Sequence, residues 1–353
     1  MDKLPFVSII MPIRNEANYI ARSLGSVLAQ DYPPERMEIL VADGMSEDAT
    51  RHMIDKTIRE MGIAAAGGQH EKANPVLPVV QVLDNPGRIV PTGFNLALKH
   101  ARGEIIIRVD GHCEIQPDYV RRCVELLLQT GADNVGGLQA AGAKDSVGKA
   151  ISLATSSPFG VGGAKFHYAT QPGWVDTVYL GAYRREVFER LGGFDEELVR
   201  NQDDEFNFRL IQSGGKIWLD PSLKTVYYSR ASFGKLWRQY FQYGFYKVRV
   251  IQKRRAVASW RHLVPAGFVL GLGVTMLLGL ATGNQRWVFT ITGPYLIANL
   301  TASLWTTKKD WRFLPLLSLS YLILHLSYGA GFLWGLWIWR HRWRNSAHNS
   351  SLS

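Results

Sequence analysis

Cysteine is scarce in this chain. Cys113 and Cys123 are the whole complement in 353 residues, too few for a disulfide framework, and no CxxC pair suggests zinc. Charged residues are 20% against 46% hydrophobic, which excludes a disordered or fibrous chain. No G-x-G-x-x-G follows the first strand, which weighs against a dinucleotide-dependent oxidoreductase. The N-terminal apolar run, Phe6–Met11, is short and ends at Pro12. It reads as a buried strand rather than a signal peptide, and the first domain is expected to stay in the cytoplasm. Acids nearly vanish from the last third: residues 236–353 hold 14 Lys/Arg and one acid, Asp310, whereas 1–235 hold 26 and 29. The total of +10 therefore does not describe a nucleic-acid binder. Basic residues beside long apolar runs point to an anionic membrane surface.

What is present begins with alternating strand and helix signals. Strands are expected at Phe6–Met11, Met37–Ala42, Val79–Leu83, Ile105–Val109 and Asn134–Leu138. Helices are expected at Ile20–Ala29, from Asp48 to Met61, at Pro91–Ala101 and at Pro117–Gln129. Gly62–Pro78 reads as a loop. This order predicts an α/β domain with a mostly parallel sheet covered on both faces. Ligands of such sheets bind beyond the carboxyl ends of the strands. Those ends carry Arg14-Asn15-Glu16, Asp43, Asn85 and Asp110. Ser157–Tyr168 is glycine-rich, and reads equally as a mobile loop over a site or a plain surface connection.

The C-terminal third divides into three uncharged runs, 263–281, 287–305 and 313–339, each long enough to cross a bilayer. Phe233–Lys253 mixes Phe, Trp and Tyr with Lys and Arg, as an amphipathic helix in the interface does. The expected organisation is a catalytic domain over 1–232, an interfacial helix and linker over 233–262, a transmembrane region over 263–340 and a basic tail over 341–353. Three spans would put the tail, Arg340-His-Arg-Trp-Arg, outside, against the positive-inside tendency. Gly329 and Gly331 offer an alternative, a re-entrant or in-plane segment. His325 and Tyr328 read as packing or as intramembrane function.

Four constellations carry chemistry. Pro12-Ile-Arg14-Asn-Glu16 ends the first strand with polar groups. Asp43 follows a buried strand and precedes Gly44, a placement that suits an acceptor for a base N–H; Asp48 reads as a helix N-terminal charge. Asp110-Gly-His112 ends the fourth strand, and such a pair can hold a divalent ion that also binds a diphosphate. Arg200-Asn-Gln-Asp-Asp-Glu-Phe-Asn-Phe-Arg209 puts three acids at a helix start. They read either as a general base with structural acids or as a solvated helix N-terminus.

In this order the motifs resemble those of family 2 glycosyltransferases, inverting enzymes of the GT-A fold, from Val7 to about Tyr246. Ser157-Pro-Phe-Gly-Val-Gly-Gly, Asp176-Thr-Val-Tyr-Leu-Gly, Arg184-Arg-Glu, Gly192-Gly-Phe-Asp-Glu and His325-Leu-Ser-Tyr-Gly-Ala-Gly-Phe are most similar to the membrane-associated glucosyltransferases of succinoglycan-type exopolysaccharide synthesis. The resemblance implies roles. Asp43 matches the acid that contacts uracil, and Pro12, Arg14 and Glu16 match the first nucleotide loop. Asn85, Arg88 and Asn95 fall in the segment that lines the nucleotide. Asp110 matches the first acid of the D-x-D metal motif, with His112 in place of the second, and the implied cofactor is Mn2+ or Mg2+. Asp203 matches the base of the Glu-Asp motif, with Asp204 one residue away as the competing assignment. Gln202 replaces the glutamate, and Glu205 and Arg209 keep the following pattern. Arg238-Gln239-Tyr-Phe-Gln-Tyr stands where processive synthases carry Gln-x-x-Arg-Trp, which implies transfer of a single sugar.

The implied function is inverting, metal-assisted transfer from a UDP-sugar, UDP-glucose by resemblance, to a saccharide on a polyprenyl diphosphate. The implied setting is the cytoplasmic face of the inner membrane, as a multi-pass protein among membrane lipids and a polysaccharide-assembly complex, with no nucleic acid as partner. Two alternatives stand beside it: a polyprenyl-phosphate glycosyltransferase, and a catalytically inactive membrane scaffold.

Overall fold

A computed structural model describes residues 4–66, 77–142, 145–228, 232–257, 259–307 and 310–343. The chain forms two compact units, one from 1–141 with 169–228 and one from 142–168 with 229–353. The segment 142–168, which the sequence places inside a continuous 1–232 domain, thus belongs with the C-terminal residues.

In the first unit β1 (Val7–Ile13), α1 (Ile20–Leu28), β2 (Met37–Asp43), α2 (Thr50–Ala66), β3 (Val79–Asp84), α3 (Val90–His100) and β4 (Ile105–Arg108) follow one another. β1 and β2 are buried at every residue, as parallel strands covered on both faces are. They pair in parallel from Val7 with Met37 to Ile13 with Asp43, and β3 and β4 pair in parallel outside them. The sheet order β3-β2-β1-β4 therefore brings Ile13, Asp43 and Asp84 to one edge. α1 buries Ile20, Leu24, Val27 and Leu28, the i, i+4, i+7, i+8 stripe of a core-facing helix. α2 runs to Ala66, so the start of the expected loop Gly62–Pro78 is helical; 67–76 lie outside the described residues.

The second half of this sheet corrects the expectation of a mostly parallel one. β5 (Cys113–Ile115), α4 (Tyr119–Thr130) and β6 (Asn134–Gly142) come next in the chain. The second unit then takes α5 (Ser146–Thr155) and α6 (Pro158–Val161). The first unit resumes with β7 (Gly173–Val175), β8 (Tyr179–Arg184), α7 (Arg185–Leu191), α8 (Gln202–Gln212) and β9 (Ile217–Tyr228). β8 pairs antiparallel with both β4 and β6, and β9 pairs antiparallel with β5 and β7. The antiparallel strands cover polar as well as apolar faces, and β9 carries Asp220, Pro221, Ser222 and Lys224, so no apolar run announces it.

The second unit is helical: α5, α6, α9 (Phe233–Arg254), α10 (Val264–Thr282), α11 (Arg286–Thr307) and α12 (Leu314–Ile338). Trp260–Thr282 and Trp311–Ile338 are long and apolar enough to cross a membrane. α11 is uncharged between Arg286 and Lys308 but carries Pro294 and buried Asn299, Ser303 and Thr307. α12 is one continuous helix through Gly329 and Gly331. Those glycines admit neighbouring backbones: a Cβ at Gly331 would lie 2.0 Å from the Phe241 carbonyl oxygen, and one at Gly329 would lie 2.2 Å from that of Pro265. α6 is fixed inside this unit. Ser157 Oγ lies 2.7 Å from the Tyr321 hydroxyl, and His325 Nε2 donates to the Phe159 carbonyl at 2.9 Å. Neither reading of Ser157–Tyr168, a mobile loop or a plain connection, describes this docked turn. With Nε2 donating, His325 Nδ1 accepts from the Tyr295 hydroxyl at 3.0 Å, so both ring nitrogens serve packing.

Candidate active site

Three turns at the carboxyl edge of the sheet hold the expected residues. Asn15, Met45 and Arg88 all have positive φ, at 53°, 55° and 58°, a conformation that costs a non-glycine residue and collects at functional sites. Asn15 fastens the first two turns together: its N–H donates to Ser46 Oγ and its Oδ1 accepts from the Glu47 N–H, both at 2.9 Å. Asn85 shapes the third turn, accepting from the Gly87 N–H and donating to the Ile89 carbonyl. Arg14 and Arg88 each lie 3.6 Å from Glu47 Oε1. The two guanidiniums thus converge on one exposed carboxylate, an arrangement suited to an anionic ligand. Pro12 is buried within β1.

Asp43 is fully buried at the end of β2. Its carboxylate accepts from the Ser46 N–H and hydroxyl and from Arg51 Nε, while Arg51 Nη2 reaches Asp84. Asp48 accepts from the N–H groups of Thr50 and Ala17, the structural role expected of it.

The second cluster centres on Arg108, a residue with no role expected from its sequence position. Arg108, the last residue of β4, donates through Nε and Nη2 to Asp110 Oδ1, each at 2.9 Å, and its Nη1 lies 3.3 Å from Asp203 Oδ2. Burial works against its charge, but Asp110 and then Asp203 outweigh it and hold its pKa above the usual arginine value. A lone arginine in the otherwise apolar Ile105–Val109 was the available signal. Tyr179, within the Asp176-Thr-Val-Tyr-Leu-Gly segment, joins the cluster. Its hydroxyl lies 3.5 Å from Asp110 Oδ2, and burial, with Cys113 and Asp110 nearby, pushes its pKa well up, so it remains a donor. The next residue, Leu180, has φ 47° opposite the bulge between Val135 and Gly137, a device that re-aims side chains. Cys113 is pushed up to about 12, by burial first and Asp110 second, which makes its thiol inert at neutral pH.

Asp203 is half-exposed in the first turn of α8. Its Oδ1 accepts from the Asp204 N–H at 2.8 Å, so both oxygens are oriented. Asn201, just before α8, has φ 62°. Gln202 is buried, and its Oε1 has no hydrogen-bond partner among the described residues. Glu205 is buried beside Arg209, with 3.2 Å between Oε2 and Nη2. Arg209 also donates to the carbonyls of Leu191 and Gly193, and so supports the Gly192–Gly193 turn. Asn95 serves the same turn. Its amide donates to the Phe194 carbonyl at 2.8 Å and to Glu196 at 2.9 Å, and its Oδ1 accepts from the Phe194 N–H at 2.8 Å. Both ends of the amide thus hold a loop, beside the segment expected to line the nucleotide. Gln239 belongs to the other unit, on α9, and bonds Tyr243 one turn on.

The metal pair is less assembled than the sequence implies. His112 Nδ1 lies 3.0 Å from Glu16 Oε1, and Asp110 faces Arg108. Among the described residues no group of three or more His, Cys, Asp or Glu converges to hold a metal ion. One carboxylate and one imidazole still fit a divalent ion that takes its remaining ligands from a diphosphate and water.

The sequence profile described as Glycosyl transferase family 2 matches residues 8–192. The succinoglycan biosynthesis protein ExoA of Rhizobium meliloti (strain 1021) is 30% identical over 328 residues, covering 92% of this chain and 93% of its own. A dolichyl N-acetyl-alpha-D-glucosaminyl phosphate 3-beta-D-2,3-diacetamido-2,3-dideoxy-beta-D-glucuronosyltransferase of Methanococcus voltae is 28% identical, covering 94% and 97%. Among solved structures, the mannosyltransferase PcManGT from Pyrobaculum calidifontis, in complex with GDP-Man and Mn2+, superposes with a TM-score of 0.59 at 19% identity, over 95% of this chain and 88% of its own. That likeness extends to the fold.

Proposed function

The chain belongs to glycosyl transferase family 2 and is a glycosyltransferase of the GT-A fold, and we propose that it transfers one sugar from a UDP-sugar, UDP-glucose by expectation, to a saccharide on a polyprenyl diphosphate, with inversion. The observation that carries the reading is the Arg108 bridge. It unites Asp110, at the end of β4, with Asp203, which follows 93 positions later in the sequence. An acid on the leaving-group side and an acid on the acceptor side are what one displacement requires.

In this reading Asp43 accepts from the uracil N–H, and Arg14 and Arg88 face the diphosphate. Asp203, fixed by Arg108 and by the Asp204 N–H, takes the proton of the acceptor hydroxyl as its oxygen bonds to the anomeric carbon. Such a base contributes ~10²–10⁴-fold. The bond from that carbon to the diphosphate breaks on the opposite face, and its electron pair leaves with the diphosphate. An α-linked donor then gives a β-linked product. Asp110 and His112 would hold Mn2+ or Mg2+, which supplies Lewis-acid stabilisation of the departing charge. Tyr179, kept protonated, orients Asp110.

The names of the relatives support the acceptor class. One belongs to succinoglycan biosynthesis; the other places a sugar at the 3-position, with beta configuration, on an N-acetylglucosamine carried by dolichyl phosphate. The apolar helices and the basic stretch Lys247–Arg261 support work at the cytoplasmic face of the inner membrane, where such a lipid sits.

The test is UDP release by detergent-purified protein, given Mn2+ or Mg2+, a panel of UDP-sugars and a lipid extract. Metal-dependent release with one sugar, lost in Asp203→Asn, is the expected result. An α-glycoside from an α-linked donor would overturn the single displacement. Lack of UDP binding would overturn the donor class.

A further inference from the structure

We propose that the α10–α11 hairpin is the part of the chain that crosses the bilayer, and that α12 lies along the cytoplasmic side, so that the C-terminus stays on the side where α10 begins. The inference rests on the membrane localisation proposed above and on none of its chemistry.

Length and apolarity alone nominate Trp260–Thr282 and Trp311–Ile338, but burial separates them: 17% of the first apolar stretch is covered by the rest of the chain and 44% of the second. α12 behaves as a core helix, with Leu317, Tyr321 and Leu324 at most 1% exposed. Much of its cover, beyond the hairpin itself, comes from elements that carry charge. Along its first half, Ile151 and Ala154 of α5 pack on Leu317, Tyr321 and Leu324, and Lys149 lies 4.6 Å from the centre of the Phe313 ring. Along its second half α9 runs in the same direction. Phe241 meets Gly331, Phe245 meets Gly335, and Gln252 Nε2 donates to the Trp339 carbonyl at 2.9 Å. α9 carries Lys235, Arg238, Lys247, Arg249, Lys253 and Arg254. An α12 that crossed the membrane would draw these charges into hydrocarbon, where they are costly and rare.

The hairpin has the opposite character. Phe268 stacks on Tyr295 at 4.3 Å, Gly271 faces Ile291, and Gly279 faces Val288, which pairs α10 and α11 antiparallel. Their outward faces expose Leu280 at 73%, Phe289 at 68%, Ile297 at 71% and Trp305 at 85%. Nineteen and 22 residues give helices of about 28 and 33 Å, matching a hydrocarbon core of about 30 Å. The turn between them, Gly283-Asn-Gln-Arg286, is polar and needs water or headgroups. The named contacts of α12 with the hairpin run from its open end to its middle, on Pro265, Ala266 and Val269 and on Thr306, Asn299 and Tyr295, and none reaches the turn. Two crossings return the chain to its starting side, which puts Arg249–Arg261, Lys308–Arg312 and Arg340–Arg344 together there. The positive-inside tendency is then met by all three, which three spans do not allow.

The experiment is single-cysteine labelling of the full chain in intact cells with a membrane-impermeant maleimide. Cys113 and Cys123 are buried and give no background. Gln285→Cys in the turn should label in intact cells; Ser351→Cys in the tail should label only after the membrane is opened. Both variants should retain wild-type UDP release, which reports the fold. Labelling of Ser351→Cys in intact cells would overturn the inference by making α12 a span. Protection of Gln285→Cys before and after opening would overturn it by leaving the hairpin short of the far side. Release by alkaline washing as a soluble oligomer would overturn the membrane reading itself and assign the exposed face to a second copy of the chain.

Discussion

Arg108 Nη1 lies 3.3 Å from Asp203 Oδ2, so the proposed base is held by a cation that grows out of the strand bearing the proposed metal acid. One fixed positive charge thus serves two carboxylates, and it sets the direction in which Asp203 presents its free lone pair.

Replacing Arg108 therefore affects turnover more than donor binding. Arg108→Met is expected to lower kcat by ~10²-fold, the scale of removing one fixed electrostatic partner, with donor KM changed little. Arg108→Lys, a single point charge in place of a fork, falls between the two. Because the residues act as a unit, Arg108→Met adds little in an Asp203→Asn background. Steady-state kinetics of the three variants checks this.

Asp43→Asn separates nucleotide recognition from catalysis. The change leaves Arg51 facing an amide and removes the acceptor proposed for the base. UDP affinity is expected to fall by ~10-fold or more, and stability by ~1–3 kcal/mol for a disturbed buried acceptor. Calorimetric titration with UDP and a denaturant melt report the two effects.

Asn95→Ala should do the reverse. Its three hydrogen bonds to Phe194 and Glu196 hold a turn, so stability drops by ~2–3 kcal/mol at about 1 kcal/mol per bond, while donor KM keeps its value. A raised KM at temperatures where the variant is fully folded would place Asn95 in the nucleotide site as well.

Acid should loosen the chain through His167. Burial lowers its pKa from 6.5 to about 4, so between these values the unfolded chain binds a proton that the folded chain does not. Stability rises with pH across that window, and the melting temperature should fall as pH drops from 7 toward 4. His167→Phe removes this share of the dependence, which a pH series of melts would measure.

Glycines on α12 and α10 should respond differently. Gly331→Ala forces a Cβ against the Phe241 carbonyl and is expected to abolish the folded C-terminal unit. Gly267→Ala meets nothing within 4 Å and is neutral or stabilising by up to ~1 kcal/mol through helix propensity. Detergent-solubilised yield and melting of the pair test the close approach of α9 to α12.

The parallel half of the sheet was legible because strands covered on both faces read as unbroken apolar runs. The strands expected at Phe6–Met11 and Met37–Ala42 form as Val7–Ile13 and Met37–Asp43, and their carboxyl ends follow from strand direction alone. The antiparallel half was not. β9 mixes Asp220 and Lys224 with Trp218 and Leu223, and its partners lie far off in sequence. Residue type alone did not show the loop contacts of Asn95, since an asparagine that binds a ligand and one that closes a loop look alike until the carbonyl it meets is known. Arg108 was visible as a charge in an apolar strand, but its second partner, Asp203, comes from another element. The docking of Ser157–Gly163 could not be read at all, because Tyr321 and His325 lie more than 160 positions further on.

The allocation of 142–168 to the helical unit bears on how the enzyme can be taken apart. A shortened chain ending at residue 232 retains α5 and α6 but strips Ile151, Ala154 and Phe159 of Leu317, Tyr321 and His325, leaving sticky apolar surface and orphaned polar groups. A water-soluble catalytic fragment calls for two cuts: removal of everything after β9, and replacement of 143–168 by a short polar loop that joins β6 to β7.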